Sequence, residues 1–370
     1  MDSKERVRRT VCHQQTDRLA KNFLPSALTM QKLKSALNVS GEEAVFAHMG
    51  ADIRTMDATA WYKNPLRQWR DEEGTLWQET FWGYERKHFF AGQDWNLVTT
   101  RYALDSELEL PDALERYTFP DPEAFDYSQA ERYCEIYPDK AIMVGHAGAY
   151  QMAATNLRGP EQLFIDMIEE PEACQELFDR MNDFLLEHYR RILEAAKGHV
   201  DILLIHDDYG TQNSLLFSVP MWKQYFSRNL KRFADLAHSH NAFLMQHSCG
   251  AVEPLISEMI ACGVDMLDPV QKVVGMEPES LQEKYGGKIT FHGGIDTHVR
   301  DKNVIVIGGG GHCGVYEPVE LLIGIAYALQ SHFSVYNAVF IKRAAAVHSV
   351  ENYYSCSFFY VFFFFNEPPP

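Results

Sequence analysis

His247 and Cys249 stand two residues apart in Phe243-Leu-Met-Gln-His-Ser-Cys-Gly250 and offer an imidazole nitrogen and a sulfur. Both are donors that zinc accepts, and the spacing lets the two side chains turn toward one ion. Phe243 to Gln246 is a short, mostly apolar run without Gly or Pro, which predicts a buried strand. Residues 252–262 then carry helical spacing, so the pair sits at the carboxyl end of a strand and beside a helix N-terminus. A helix dipole in that position lowers a thiol pKa. A lone His-x-Cys is equally what a buried thiol beside a backbone-satisfied histidine looks like. Zinc sites take three or four protein ligands, so the surroundings of the pair decide its meaning.

Other polar residues stand in the same relation to predicted strands. Asp57 ends the strand at 51–57, and His146 follows the strand at 141–145. Asp207 and Asp208 follow the one at 201–205, Asp268 the one at 264–268, and His292 and Asp296 the one at 288–291. Helical patterns lie between them at 3–13, 27–37, 41–49, 171–197, 218–236 and 278–285, with Ser218 as an N-cap. Strands near eight in number, separated by helices, predict a parallel sheet closed as a (β/α)8 TIM barrel. A barrel gathers its active site at the carboxyl ends of the strands, whereas a doubly wound sheet would gather polar residues at one crevice. Only one of the adjacent Asp207 and Asp208 can point inward from a strand, so the other is expected to cap a loop or helix. One stretch breaks the pattern: 68–82 alternates apolar and polar around Glu73-Gly74 and predicts an inserted β-hairpin. Its tryptophans suit a brace within the hairpin, or a wall for a substrate.

Composition narrows the class. The chain has 370 residues, 46% hydrophobic and 23% charged, as a globular protein with an ample core should. A net charge of -17 and the lack of a basic run disfavour nucleic acid or an anionic membrane as partner. Seven scattered cysteines argue for a reducing cytoplasm over a disulfide framework, and the charged start shows no signal peptide.

The end of the chain differs in kind. After Asn303 charged residues are sparse, and the last stretch runs Phe358-Phe-Tyr-Val-Phe-Phe-Phe-Phe365 before three prolines. Such a segment suits neither a surface nor an amphipathic element, and has the composition of a shifted reading frame. The division expected is a barrel domain at 1–302 and an atypical tail at 303–370. Within that tail, Val304-Ile-Val-Ile-Gly308 followed by Gly309-Gly-Gly-His-Cys-Gly314 fits a strand and then G-x-G-x-x-G, a dinucleotide fingerprint. The chain left after it is too short for a full nucleotide-binding unit, and no acidic residue follows at the distance that holds the ribose.

Several passages together resemble the uroporphyrinogen decarboxylase superfamily, which also contains cobalamin-dependent methyltransferases such as the methylcobamide:coenzyme M enzymes. They are Asp207-Asp208-Tyr-Gly-Thr-Gln212, Ser218-Val-Pro-Met-Trp222, His247-Ser-Cys-Gly250, Cys262-Gly-Val-Asp-Met-Leu-Asp268 and His292-Gly-Gly-Ile-Asp-Thr297. The resemblance implies a barrel with its site at the top face. In the methyltransferase branch it implies zinc held by His247, Cys249 and a later Cys, activating a small thiol to take a methyl group from a corrinoid protein. Cys313, or His312 beside it, is the available third ligand. His146, Asp207, Asp208 and Asp296 become substrate contacts or partners of the ligands. The decarboxylase branch implies an arginine-rich N-terminal stretch for a tetrapyrrole, where this chain reads Arg18-Leu-Ala-Lys-Asn-Phe-Leu-Pro25. A zinc-dependent methyltransferase is therefore expected ahead of a decarboxylase acting on a porphyrin precursor, with an inactive barrel acting as a binding module as the third reading.

Overall fold

Alternation along the strands separates the buried apolar residues into two sets, and the two sets are the two faces of a curled sheet. The computed structural model describes residues 1–90 and 95–293, and beyond them the strands Val304–Val306, Gly314–Tyr316 and Tyr360–Phe365. The sheet contains β1 (Lys21–Leu24), β2 (Ile53–Met56), β3 (Ala141–Ala147), β4 (Val200–His206), β5 (Phe243–His247), β6 (Met266–Val270), β7 (Thr290–Gly293) and β8 (Tyr360–Phe365). Its order is β1-β8-β7-β6-β5-β4-β3-β2. From β2 to β7 six strands pair in parallel, each with its neighbour among them, while β8 pairs antiparallel with both β7 and β1. The Asp52 N–H donates to the Lys21 carbonyl over 2.8 Å, which sets the start of β1 beside the start of β2. The eight parallel strands expected from the sequence are thus six in a curled parallel sheet, with an antiparallel strand in the gap.

Ile142, Val144, Leu203, Ile205, Leu244 and Leu267 pack outward against the helices, in one cluster with Phe178, Leu185, Ile192, Trp222, Phe233 and Leu255. Each such side chain, fully buried, contributes about 1.5–3 kcal/mol. The intervening residues Ala141, Met143, Ile202, Met245 and Met266 form a second cluster inside the curl. Val7 and Val11 join that inner cluster from the helix Ser3–Val11, which lies across the strand starts. Polar contacts fasten it there: Arg6 to the fully buried Asp52 at 2.7 Å and Arg8 to Asp201 at 3.1 Å. One end of the curl is therefore plugged, and the other is left for chemistry.

The insert is larger than the hairpin expected. Gln68–Arg70 and Leu76–Glu79 form that hairpin, but Glu85–Phe90 and Trp95–Arg101 extend it to a four-stranded antiparallel sheet. Asp71 caps the turn by accepting the N–H groups of Glu73 and Thr75, and Trp69 stacks on Trp77 at 6.0 Å. The tryptophans brace the sheet. The strand Val304–Val306 pairs antiparallel with Gly314–Tyr316, and the glycine run between them lies outside the described residues. Among the described residues the five cysteines are free, and no helix is long and apolar enough to cross a membrane.

Candidate functional site

Counting by twos along each strand from the inner apolar layer leads to polar residues at the open end. Ile202 and Leu204 lead to His206, Met245 to His247, Met266 to Asp268 and Thr290 to His292. Register brings these into one row, with His206 paired to His247 and His247 to Asp268. Side chains in one row share a face, so the row stands as a polar layer on the apolar floor.

His247 is the centre. Its Nδ1 meets Asp268 Oδ2 in a very short hydrogen bond, and the other oxygen of Asp268 meets Nδ1 of His292 at 2.5 Å. Its Nε2 lies 3.5 Å from the Cys249 sulfur and 3.6 Å from Asp208 Oδ1. Asp208 Oδ1 accepts the Cys249 backbone N–H at 2.7 Å, and Oδ2 lies 3.6 Å from His206 Nε2. One ligand atom each from His206, Asp208 and His247 lie within 4.8 Å of one another. The loops that follow β4 and β5 must nearly touch to bring Asp208 to Cys249, and Gly250 permits it. At φ +91° it adopts a backbone that favours glycine, and a Cβ there would fall 2.6 Å from the Gly210 carbonyl carbon.

The charges follow from these contacts. Burial would push His247 down, but the charge and hydrogen bond of Asp268, with Cys249, hold it well above the usual imidazole range. Burial would likewise raise Asp268, yet His247 and His292 hold it well below the carboxylate range. Asp208 is also raised by burial and lowered further by His206 and His247, to about 2. His206 is pushed down by burial and by the charge of His247, and burial raises the Cys249 thiol.

Asp207 points the other way. Its Oδ1 accepts the Gln151 N–H at 2.7 Å, in the first turn of the helix Ala149–Met152, and its Oδ2 accepts the Tyr209 hydroxyl at 3.2 Å. Burial raises it to about 7. It lines a cavity of about 10 Å³ with Asn182 and Asn229, separate from the cluster. His146 is exposed at the end of β3, and loss of hydration with the charge of His206 pushes its pKa down. It makes no hydrogen bond or ion pair to the cluster among the described residues. Asp57 caps the turn that follows β2 by accepting the Thr59 N–H. Asp296, Cys313 and His312 lie outside the described residues.

The site therefore brings together His247, Cys249, Asp208, Asp268 and His292 from the strand-end residues expected from the sequence, and adds His206. The missed signal was parity: from Ile202, steps of two reach His206 at the strand end. Spacing supports an ion between the donors. Zn–N of about 2.1 Å and Zn–S of about 2.3 Å at a tetrahedral angle put nitrogen and sulfur about 3.6 Å apart. The observed separation is 3.5 Å. Asp268 on the far nitrogen of His247 is the outer partner such a ligand needs to present Nε2.

Comparison with known proteins agrees with this architecture. The family model for uroporphyrinogen decarboxylase (URO-D) matches residues 105–300. A solved structure, a methyltransferase from Methanosarcina mazei, superposes with a TM-score of 0.53 at 16% identity, covering 78% of this chain and 81% of that one. No curated protein matches the chain in sequence.

Proposed function

Since this chain belongs to the uroporphyrinogen decarboxylase family, we propose that it is a zinc-dependent methyltransferase of that family. It would move a methyl group from a methylated corrinoid protein to a small thiol in the reducing cytoplasm. The reading takes residues 1–302 as a barrel domain of (β/α)8 type and 303–370 as an atypical tail that lends β8 to the sheet. The observation that carries it is the 3.5 Å approach of His247 Nε2 to the Cys249 sulfur, with Nδ1 of the same ring occupied by Asp268.

His247 and Cys249 would hold the zinc. Bound there, zinc supplies the Lewis acidity that keeps a thiol as thiolate near neutral pH. Asp268 fixes His247 in the tautomer that presents Nε2 to the mouth, and His292 fixes Asp268. His146, exposed at the end of β3, is proposed as a contact for the acceptor or for the face of the donor. Asp296 is proposed as a further substrate contact.

The decarboxylase reading is the runner-up. It needs cations facing the site, and the N-terminal ones are engaged elsewhere. Arg18 binds Asp52 at 2.6 Å and Arg6 binds Asp52 and Asp17, all at the strand starts, the end opposite His247. One experiment separates the readings. Protein purified without chelator is assayed for zinc, for thiol-dependent demethylation of methylcobalamin, and for CO2 release from uroporphyrinogen. Zinc with demethylation is expected. CO2 release without zinc would replace the proposal with the decarboxylase, and neither activity nor zinc would leave a binding module.

A further inference from the structure

The donors around His247 do not stop at the sulfur. His206 and Asp208 come from the end of the adjacent strand β4 and the loop that follows it, and both face His247. Their ligand atoms and that of His247 lie within 4.8 Å of one another. Asp208 lies 3.6 Å from each imidazole, by one oxygen to His247 Nε2 and by the other to His206 Nε2. Two nitrogens about 2.1 Å from a tetrahedral ion stand about 3.4 Å from each other, so from a separation within 4.8 Å an ion would draw the two imidazoles together by at most about 1.4 Å.

We infer that the ion is held by His206, Asp208, His247 and Cys249, a two-nitrogen, one-oxygen, one-sulfur set from two neighbouring strand ends that needs no further ligand. The inference rests on the metal reading above and specifies it.

Three features support the set. His206 and His247 are ladder partners, so backbone pairing fixes their side-by-side placement. Asp208 accepts the Cys249 N–H at 2.7 Å, which ties the carboxylate to the loop that carries the sulfur. The third is completeness: four donors come from one short stretch at each strand end, and zinc so held could still take an incoming thiol as a fifth ligand. Mixed nitrogen, oxygen and sulfur donors suit a borderline-soft ion, and exclude magnesium and calcium as favoured occupants.

The test compares full-length wild type with His206→Ala, Asp208→Ala, Cys313→Ser and Cys249→Ala. Zinc content and zinc affinity by chelator competition are measured, together with the absorption of the cobalt(II) form. Asp208→Asn is added because it still accepts the Cys249 N–H while losing the charge that favours a metal. Expected is that Cys313→Ser keeps the zinc of wild type and the intense visible bands of four-coordinate cobalt. His206→Ala and both Asp208 variants should weaken zinc by more than the roughly 10–100-fold seen on losing an outer hydrogen-bond partner. Cys249→Ala should remove the sulfur-to-cobalt charge-transfer band. Zinc lost in Cys313→Ser, but kept in the His206 and Asp208 variants, would overturn the ligand set and leave the metal reading standing. Wild type that binds neither zinc nor cobalt would instead overturn the metal reading itself.

Discussion

The rings of His206 and His247 face each other across neighbouring strands, with centroids 3.9 Å apart and planes inclined by 41°. Two imidazolium rings at that distance repel, and the pair resolves this unequally. His247, backed by Asp268, is raised in pKa while His206 is lowered.

Cys249→Ala is expected to come through purification without zinc, measured by elemental analysis beside wild type, although cobalt added in excess can still occupy the three remaining donors. In the presence of chelator the two proteins should unfold within about 1 kcal/mol of each other, because the half-buried thiol lies at the mouth and outside the apolar core. Equal zinc in both proteins would remove the basis of the site.

Asp268→Asn keeps the shape but removes the charge between His247 and His292. Zinc affinity should fall about 10–100-fold, as it does when an outer carboxylate partner is lost. Competition with a chromogenic chelator reads this directly, and unchanged affinity would show that Asp268 orients nothing.

Asp207 gives the fold a pH dependence of known sign. Its carboxyl is raised to about 7 in the folded chain, against about 3.9 unfolded. Between those values the folded state holds a proton that the unfolded state has released. Stability from this group is present below about pH 4 and is lost as pH rises toward 7, by up to about 1.4 kcal/mol per unit. Asp207→Asn should flatten that loss, so its stability relative to wild type grows from pH 4 to 7 in chelator-treated protein. Urea unfolding at several pH values checks it. The difference between the two proteins isolates Asp207 from groups such as His188, whose lowered pKa acts in the opposite direction.

Much of this arrangement was legible in the chain. The alternation of short apolar runs with helices located the strand that carries His247 and the strand that Asp208 follows, and the turn at Glu73-Gly74 located the first hairpin of the insert. His206 was hidden because it shares the run His206-Asp207-Asp208 with two acids, and nothing local says which of the three faces inward. Parity decides it, once the inner face of β4 is known from Ile202. The Asp268–His292 bond was beyond reach for another reason: it joins residues 24 apart through strand register, which a single sequence does not encode locally. The two added strands of the insert were missed because Glu85–Phe90 and Trp95–Arg101 carry many charged and polar residues and show no clean apolar face.

Gly148 sits against the Asp207 carboxylate, and a Cβ built there would fall 2.1 Å from Oδ2. Gly148→Ala is expected to cost roughly 1–3 kcal/mol by overpacking. In an Asp207→Ala background, where the carboxylate is gone, the same change should cost less than about 0.5 kcal/mol. A double-mutant cycle by denaturant unfolding measures the coupling, and equal costs in both backgrounds would place the strain elsewhere.

Because β4, β5, β6 and β7 each lend one group to a single row, a slip of one residue at any of the ladders would turn a donor away from its companions. Metal capture would then serve as an assay of folding fidelity. In a refolding mixture, the molecules that retain cobalt colour would be those whose strands had found their native partners, and a colourless compact fraction would report misthreaded chains.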